Sequence, residues 1–447
     1  MEVRPKRVLA DLRELDRLTG GPDGARRLCW TPVWEEARGF LRGRLAEIEG
    51  VSVEVDEAGN LWATLPGEVE DAVVFGSHID SVPNGGWLDG ALGVMAGLEV
   101  LRAAGESRAR AGPAPGAEAP AAAAPAAEAP GAEAHGAEAH GAEAPGAEAP
   151  AAAAGGPRRA VKLVDFADEE GARFGRSLFG SSAVAGTLDP DAVRGLTDAD
   201  GLAIGEVLGE YGVELERAPA AASRREGLVA YVELHIEQGP ILESEGVAVA
   251  AVTGTFGVER HRFTFVGQAS HAGTTPMEMR RDAGLAAART ALAVEQIARE
   301  HGGVGTAGVL RLEPGIPTAV PGRAELVVDL RHAEARPLAA MLEAVRKAAG
   351  DAARAGGVEV GNDVIWRIEP IPFDERLVAA ALEAAGTSRK LPSGALHDAA
   401  EMARHVPTAM MFTSSANGLS HAPEEDTPED HLVAAIAAFG RLAAGLV

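Results

Sequence analysis

Gly76-Ser77-His78-Ile79-Asp80-Ser81-Val82-Pro83-Asn84-Gly85-Gly86-Trp87-Leu88-Asp89-Gly90 is the stretch from which the rest of the chain is read. The apolar run 72–75 before it reads as a buried strand, and the apolar-periodic segment 91–101 after it reads as a helix. Chemically versatile side chains therefore stand at the carboxyl end of a strand, the opening of an α/β sheet domain. On an extended backbone residues two apart point the same way, so Asp80 is expected to hold the His78 imidazole while the other ring nitrogen binds a ligand. Asp89, in a glycine-rich loop able to fold back tightly, is placed to bring a carboxylate to the same point. The stretch reads as half of a metal site, although a strand-end histidine taken alone is more often an ordinary hydrogen-bonded one.

Three further strand-like runs end in the same manner. Residues 160–167 lead into Asp168-Glu169-Glu170-Gly171, Ala230-Tyr231-Val232-Glu233-Leu234-His235-Ile236-Glu237-Gln238-Gly239-Pro240 ends in a histidine, and a strand expected at 408–412 leads through a loop to Ser420-His421. Adjacent glutamates in a bent loop point in different directions, so one can bind a metal while the other faces water as a general base. An acidic turn alone is usually solvated surface. Here a Gly/Ser-rich loop with Arg173, Gly175, Gly180, Ser181 and Ser182 follows it.

At 447 residues the chain is too long for one compact core, and a hydrophobic fraction of 46% is ample for folding. A formal net charge of -25 argues against nucleic acid or an anionic membrane surface as a partner. Cys29 is the only cysteine, which excludes an internal disulfide framework and a cysteine zinc cage and suits a reducing compartment. The N-terminal Val8, Leu9, Leu12, Leu15 and Leu18 form an amphipathic spacing broken by charges, unlike an export signal. No charge-free apolar run reaches membrane-spanning length. A soluble, cytoplasmic protein is expected.

The expected architecture is α/β, with a catalytic domain in two parts, 1–245 and 358–447, whose mixed sheet is flanked by helices. Strand patterns at 247–255, 260–266, 305–312 and 323–330, with helices at 282–299 and 337–355, suggest a smaller inserted α+β domain at 246–357. A helix is also expected at 396–405. From 103 to 157 the composition turns to Ala, Pro, Gly and Glu, with repeats such as Gly131-Ala132-Glu133-Ala134-His135 and Gly136-Ala137-Glu138-Ala139-His140. With no large apolar side chain to bury, this insertion is expected to be disordered, and its histidines are set aside as linker residues.

His78, Asp89, Glu170, His235 and His421 thus lie near the ends of separate strands. Imidazole with carboxylate suits Zn²⁺, Mn²⁺, Co²⁺ or Ni²⁺ better than Ca²⁺ or Mg²⁺, and five donors exceed what one open catalytic zinc needs. Two divalent ions sharing Asp89 would use all five, the arrangement of a metal-assisted hydrolase. No serine or cysteine triad and no phosphate-binding loop competes with that reading.

The same motifs, together with Ser270-His271-Ala272-Gly273-Thr274-Thr275-Pro276-Met277 and Ser393-Gly394-Ala395-Leu396-His397-Asp398-Ala399, resemble the hydantoinase/carbamoylase family amidases. These include N-carbamoyl-L-amino acid hydrolases, allantoate amidohydrolases and β-ureidopropionases, within the dinuclear-zinc peptidase and aminoacylase superfamily. The resemblance covers the chain outside the insertion. It implies His78, Asp89, Glu170, His235 and His421 as ligands of two metals with Asp89 bridging, and Glu169 as general base. It further implies substrate contacts from Gln238, His271 and Arg331, and a homodimer whose small domain closes over the site as a lid. One departure is Thr318 in Thr318-Ala319-Val320-Pro321-Gly322, where relatives carry Asn, because threonine lacks the amide's two donors. The activity implied is hydrolysis of an N-carbamoyl-L-amino acid to the amino acid, ammonia and carbon dioxide. Allantoate or another ureido acid is the alternative, and a catalytically silent small-molecule-binding relative the third reading.

Overall fold

The computed structural model describes residues 1–111 and 157–447. Its first part contains α1 (Pro5–Thr19), α2 (Pro32–Ala46), β1 (Ser52–Val55), β2 (Leu61–Leu65), β3 (Val69–His78), α3 (Ala91–Ala111), β4 (Arg159–Phe166), β5 (Leu228–Ile236) and β6 (Val249–Thr255). Next come β7 (Gly257–Val266), β8 (Ser270–His271), α4 (Ala283–His301), β9 (Val304–Glu313), β10 (Ala319–Val320), β11 (Arg323–His332), α5 (Ala335–Gly356) and β12 (Glu359–Ile368). The chain closes with β13 (Ile371–Pro372), α6 (Glu375–Ala385), β14 (Lys390–Ser393), β15 (Thr408–Thr413) and α7 (Glu429–Leu446).

The large sheet runs in the order β1-β2-β4-β3-β5-β15-β6, with β13 and β14 both paired to β6. Its four central strands β4, β3, β5 and β15 are mutually parallel, while β2 and β6 flank them antiparallel. β3 from Ala72 onward and all of β15 are buried without alternation, as expected of strands covered by helices on both faces. The consequence for function is geometric: all four parallel strands release their chains at one edge of the sheet, where ligands of open α/β folds gather.

A second sheet, β9-β11-β7-β12, is antiparallel throughout. β11 alternates between buried and half-buried residues, so Leu326, Val328 and Leu330 join Phe263 and Phe265 against Val294, Leu338, Met341 and Val345 of α4 and α5. The opposite face presents Arg260, Asp329 and Arg331.

The mixed sheet with flanking helices agrees with the sequence reading, but element membership differs from it. Val249–Thr255 pairs with β15 in the large sheet, whereas Glu359–Ile368 is an edge of the small one. Sheet membership therefore places the small unit at 257–368 rather than 246–357. The run 247–255 is buried almost continuously, the mark of an inner strand that local pattern cannot assign to either sheet. The helix expected at 396–405 is only the short turn Asp398–Met402. Residues 103–111, assigned by composition to the insertion, continue α3: Ala, Arg and Glu are strong helix formers, and Ala103 and Ala104 are buried. The remainder of the expected insertion, with His135 and His140, lies outside the described residues. Among the described residues no helix is long and apolar enough to cross a membrane.

One buried ion pair ties α2 to the sheet edge that carries the site. Arg38 Nε donates to Asp165 Oδ2 at 2.7 Å, its Nη1 donates to the Gly59 carbonyl, and its guanidinium stacks 4.0 Å from the Trp34 ring centroid. The other Asp165 oxygen accepts from the Ile79 amide at 2.8 Å, fixing the chain one residue past His78. Arg38→Met should cost about 3–5 kcal/mol in denaturant unfolding, since it strands a buried carboxylate. A loss below about 1 kcal/mol, the size of a surface pair, would show that the network does not hold this strand end.

Candidate metal centre

β3 ends on His78 and β5 carries His235 at its penultimate residue, both almost fully buried. Beyond β4 the chain turns through Asp168-Glu169-Glu170, and beyond β15 it loops to His421. Asp168, Gln238 and His421 all take positive φ, at 56°, 57° and 56°. Three non-glycine residues in this sparsely populated region at one locality are characteristic of a site whose side chains are aimed at some conformational cost.

These segments converge on Asp89. Its Oδ1 lies 3.1 Å from His235 Nε2 and 3.7 Å from His78 Nε2, and its Oδ2 lies 3.1 Å from His421 Nε2. His421 Nε2 is in turn 3.5 Å from Glu170 Oε2. Two donor groups result, His78-Asp89-His235 and Asp89-Glu170-His421, each with its atoms within 4.8 Å of one another and with Asp89 common to both. The loop reaches this place because its glycines tolerate close approach. A Cβ on Gly90, whose φ is +63°, would lie 2.4 Å from the His78 ring, and one on Gly86 would lie 2.1 Å from the Glu425 carboxyl.

The residues fit a pair of divalent cations. His78 Nδ1 donates to the Asp80 carbonyl at 3.1 Å and His235 Nδ1 to the Ile236 carbonyl at 2.9 Å, which turns each Nε2 lone pair toward Asp89. Among the described residues Glu170 Oε1 is buried without a hydrogen-bond partner, an acceptor needing a cation or a proton. A third cluster, Glu233-His235-His397, meets the same distance criterion, but Glu233 is already committed. It accepts from Ser77 Oγ at 2.7 Å, from Tyr231 OH at 3.1 Å and from the Ala399 amide at 2.9 Å. Glu233 therefore braces β3 and β5 rather than offering a ligand atom.

Of the residues singled out in the sequence, His78, Asp89, Glu169, Glu170, His235, Gln238, Arg331 and His421 line one cavity of about 480 Å³. Gln238 Nε2 donates to Asp89 Oδ2 at 2.8 Å. Asp80 is buried beside them and meets the His78 imidazole through its backbone carbonyl, not through the carboxylate that the sequence reading assigned to it. The chain leaves extended geometry after His78, so strand alternation no longer holds, and the Asp80 carboxylate stands 3.6 Å from His78 Nδ1. It accepts instead from the amides of Glu169 and Glu170, each at 3.3 Å, and so shapes the glutamate turn. His271 and Thr318 do not line this cavity: both are exposed on the short β8–β10 ribbon, where the Ala272 amide donates to the Thr318 carbonyl. Their motif fixes their order in the chain but not their distance from the site. Sequence reasoning missed Glu425, whose Oε1 accepts from the Leu88 and Asp89 amides at 3.0 Å each and whose Oε2 accepts from Ser420 Oγ. The only hint was an acidic run after His421 that looks like solvated surface.

Burial and crowding of like charge set the electrostatics. Burial pushes Glu169 well above the usual carboxylate range, with Asp398, Glu170 and Asp80 adding to the effect against His78. Burial, then Asp89, bring Glu170 up to about 7. The hydrogen bond to Asp89 lifts His421 to about 9. Burial would lower His78, but Glu169, Asp80 and Asp89 outweigh it and raise the imidazole well above its ordinary value. Asp89 goes the other way: despite burial, His235 and His421 hold it well below the normal range. The metal-free cluster therefore retains protons that cations would displace.

Comparison with known proteins agrees with this chemistry. The profile of peptidase family M20/M25/M40 matches residues 134–445, and that of peptidase family M28 matches residues 60–113. The N-carbamoyl-L-amino acid amidohydrolase of Geobacillus stearothermophilus is 35% identical over 442 residues, covering 97% of this chain and 96% of that protein. The allantoate amidohydrolase of Escherichia coli (strain K12) is 33% identical over 417 residues, covering 90% and 88% respectively. A hydantoinase/carbamoylase family amidase from Burkholderia multivorans superposes with a TM-score of 0.80 at 31% identity, covering 99% of this chain and 97% of that one.

A pH dependence follows from the raised groups. With Glu170 at about 7 and His421 at about 9, the folded metal-free chain binds more protons than the unfolded chain between the unfolded and folded values of each group. Its stability should accordingly fall as pH rises from about 5 to about 9. Cation binding must displace those protons, so added Zn²⁺ or Mn²⁺ should raise Tm more at about pH 8.5 than at about pH 6. Thermal unfolding of chelator-treated protein checks this, and a larger metal-induced rise at the lower pH would contradict it.

Proposed function

The chain belongs to peptidase family M20/M25/M40 and is a metal-dependent hydrolase of linear ureido or amide bonds, and from that premise we propose that its substrates are N-carbamoyl-L-amino acids. One water is consumed and the amino acid, ammonia and carbon dioxide are released. The observation that carries the proposal is Asp89 presenting its two oxygens to separate donor groups in the cavity that also holds Glu169 and Arg331.

In this scheme His78, Asp89 and His235 would hold one divalent ion, and Asp89, Glu170 and His421 the other. When bound, such a pair supplies Lewis-acid polarisation of the ureido carbonyl and acidifies water. Glu169, 8% exposed and 3.7 Å from His78 Nε2, takes the proton from the attacking water and returns it to the departing nitrogen. Arg331 is oriented by its Nε bond to Asp329 Oδ1 at 2.8 Å and its Nη1 bond to the Gly394 carbonyl at 2.9 Å. Its remaining N–H groups are suited to grip the substrate carboxylate. Gln238 steadies Asp89 through its amide.

Allantoate is the second reading, favoured by the Escherichia coli relative. Against it stands the apolar part of the cavity wall, Val82, Phe256, Val258, Leu396 and the ring face of Trp366; the polar side chains left for a second ureido group are Ser177, His397 and the indole N–H. We further place the enzyme in the cytoplasm, on its single, buried Cys29. We also read it as a homodimer, because the edge strand β9 exposes Val304, Leu310 and Leu312 at 51%, 45% and 39%.

Assaying the metal-loaded protein on a panel of N-carbamoyl amino acids and allantoate tests the substrate class. Turnover of allantoate about a hundredfold better in kcat/KM than any carbamoyl amino acid would install the alternative. Within that assay Glu169→Gln should keep its metals and lose roughly 10²–10⁴ in kcat, since the amide cannot accept the water's proton. Near-wild-type turnover would remove Glu169 from the base role.

A further inference from the structure

The small sheet turns one face to α4 and α5 and the other toward the cavity that holds the donor groups, and a single extra residue decides which face Trp366 joins. In β12, Asn362 stands opposite Phe263 and Val364 opposite His261, both buried partners on the helix side. Strict alternation would put Trp366 on that side too. The register instead shifts between Val364 and Trp366, leaving Ile365 as the added residue of a β-bulge, and Trp366 pairs with Arg260 on the opposite face. Its ring lies 5.1 Å from the Arg260 guanidinium. Arg260 is itself anchored to Asp329 Oδ2 by Nε at 2.8 Å and Nη2 at 2.6 Å, so the indole is held rather than free to swing.

Placed there, Trp366 lines the same cavity as His78, Glu169 and Arg331, beside Phe256, Val258 and Leu396. It is still 37% exposed, a large apolar face offered to whatever enters. With the substrate carboxylate on Arg331 and the ureido group at the donor cluster, the third substituent of the α-carbon is left to face this wall. We propose that Trp366, re-aimed by the bulge at Ile365, is the specificity-determining residue for that substituent and selects ureido acids with a bulky apolar or aromatic side chain. The proposal rests on the carbamoyl amino acid reading of the site. Covering the indole removes apolar surface from water on both partners, whereas a polar substituent laid against Phe256, Val258, Leu396 and the indole ring face would lose its water without a partner from those surfaces.

The test compares kcat/KM for N-carbamoyl-L-phenylalanine and N-carbamoyl-L-leucine with that for N-carbamoylglycine, using the metal-loaded, full-length enzyme. Wild type should prefer the bulky substrates, Trp366→Ala should lower that preference by at least about tenfold, and Trp366→Phe should retain part of it. Val364→Ala, one residue before the bulge and not in the cavity wall, should leave the ratio unchanged. An equal fall on all substrates in Trp366→Ala would assign the residue a structural role and overturn the proposal. An unchanged ratio, or a wild type indifferent to side-chain size, would overturn it as well. If wild type hydrolyses none of these ureido acids, it is the underlying function that fails, and the specificity role falls with it.

Discussion

A carboxylate taken out of water costs several kcal/mol unless nearby charge and hydrogen bonds offset the loss. Asp89, 3% exposed, meets that condition with His235 and His421 each at 3.1 Å, the Gln238 amide on Oδ2, and a loop held from behind by Glu425. The surrounding structure follows from this requirement. Gly86 is needed because Glu425 occupies the space a side chain would take, and Gly90 because the His78 ring does. Both allow the loop to bring one carboxylate into contact with two donor groups at once.

The donors come from segments far apart in sequence, and the parallel order β4-β3-β5-β15 is what brings them together. Behind them lies a layer that binds no substrate. Glu233 joins β3, β5 and the turn at Ala399, Asp80 ties the strand end to the amides of the glutamate turn, and Arg38 with Asp165 fixes the backbone past His78. Side chains locked in this manner are already oriented before substrate arrives, and so lose little entropy when it binds. The small sheet contributes Arg331 and Trp366 from its open face, so the cavity is completed by two separately packed cores.

Much of this was legible in the chain. Polar groups after apolar runs disclosed His78, Glu169, Glu170 and His235, because a strand end is a local feature and its pattern is printed in sequence. His421 shows the same pattern less directly, through a loop beyond the expected strand at 408–412, whereas Arg331 has no local signal of its own and is reached through motif resemblance. What escaped depended on neighbours distant in sequence. Asp80 meets His78 by its backbone carbonyl rather than its carboxylate because the strand stops at His78, and Glu425 is hidden because an acidic run resembles solvated surface. Trp366 was invisible because a bulge reverses the face that alternation assigns. The boundaries of the small unit were misplaced for a similar reason, since β6 and β12 each pair with a sheet that local hydrophobicity cannot distinguish from the other.

The central claim is that Asp89 is shared by two cation sites, and metal stoichiometry after reloading and desalting tests it most directly. Wild-type protein should carry two ions per chain, His421→Ala should keep one, and Asp89→Ala should fall below one, because each donor group then loses a carboxylate. Two ions retained at full occupancy in Asp89→Ala would contradict the shared carboxylate and the account of the site built on it.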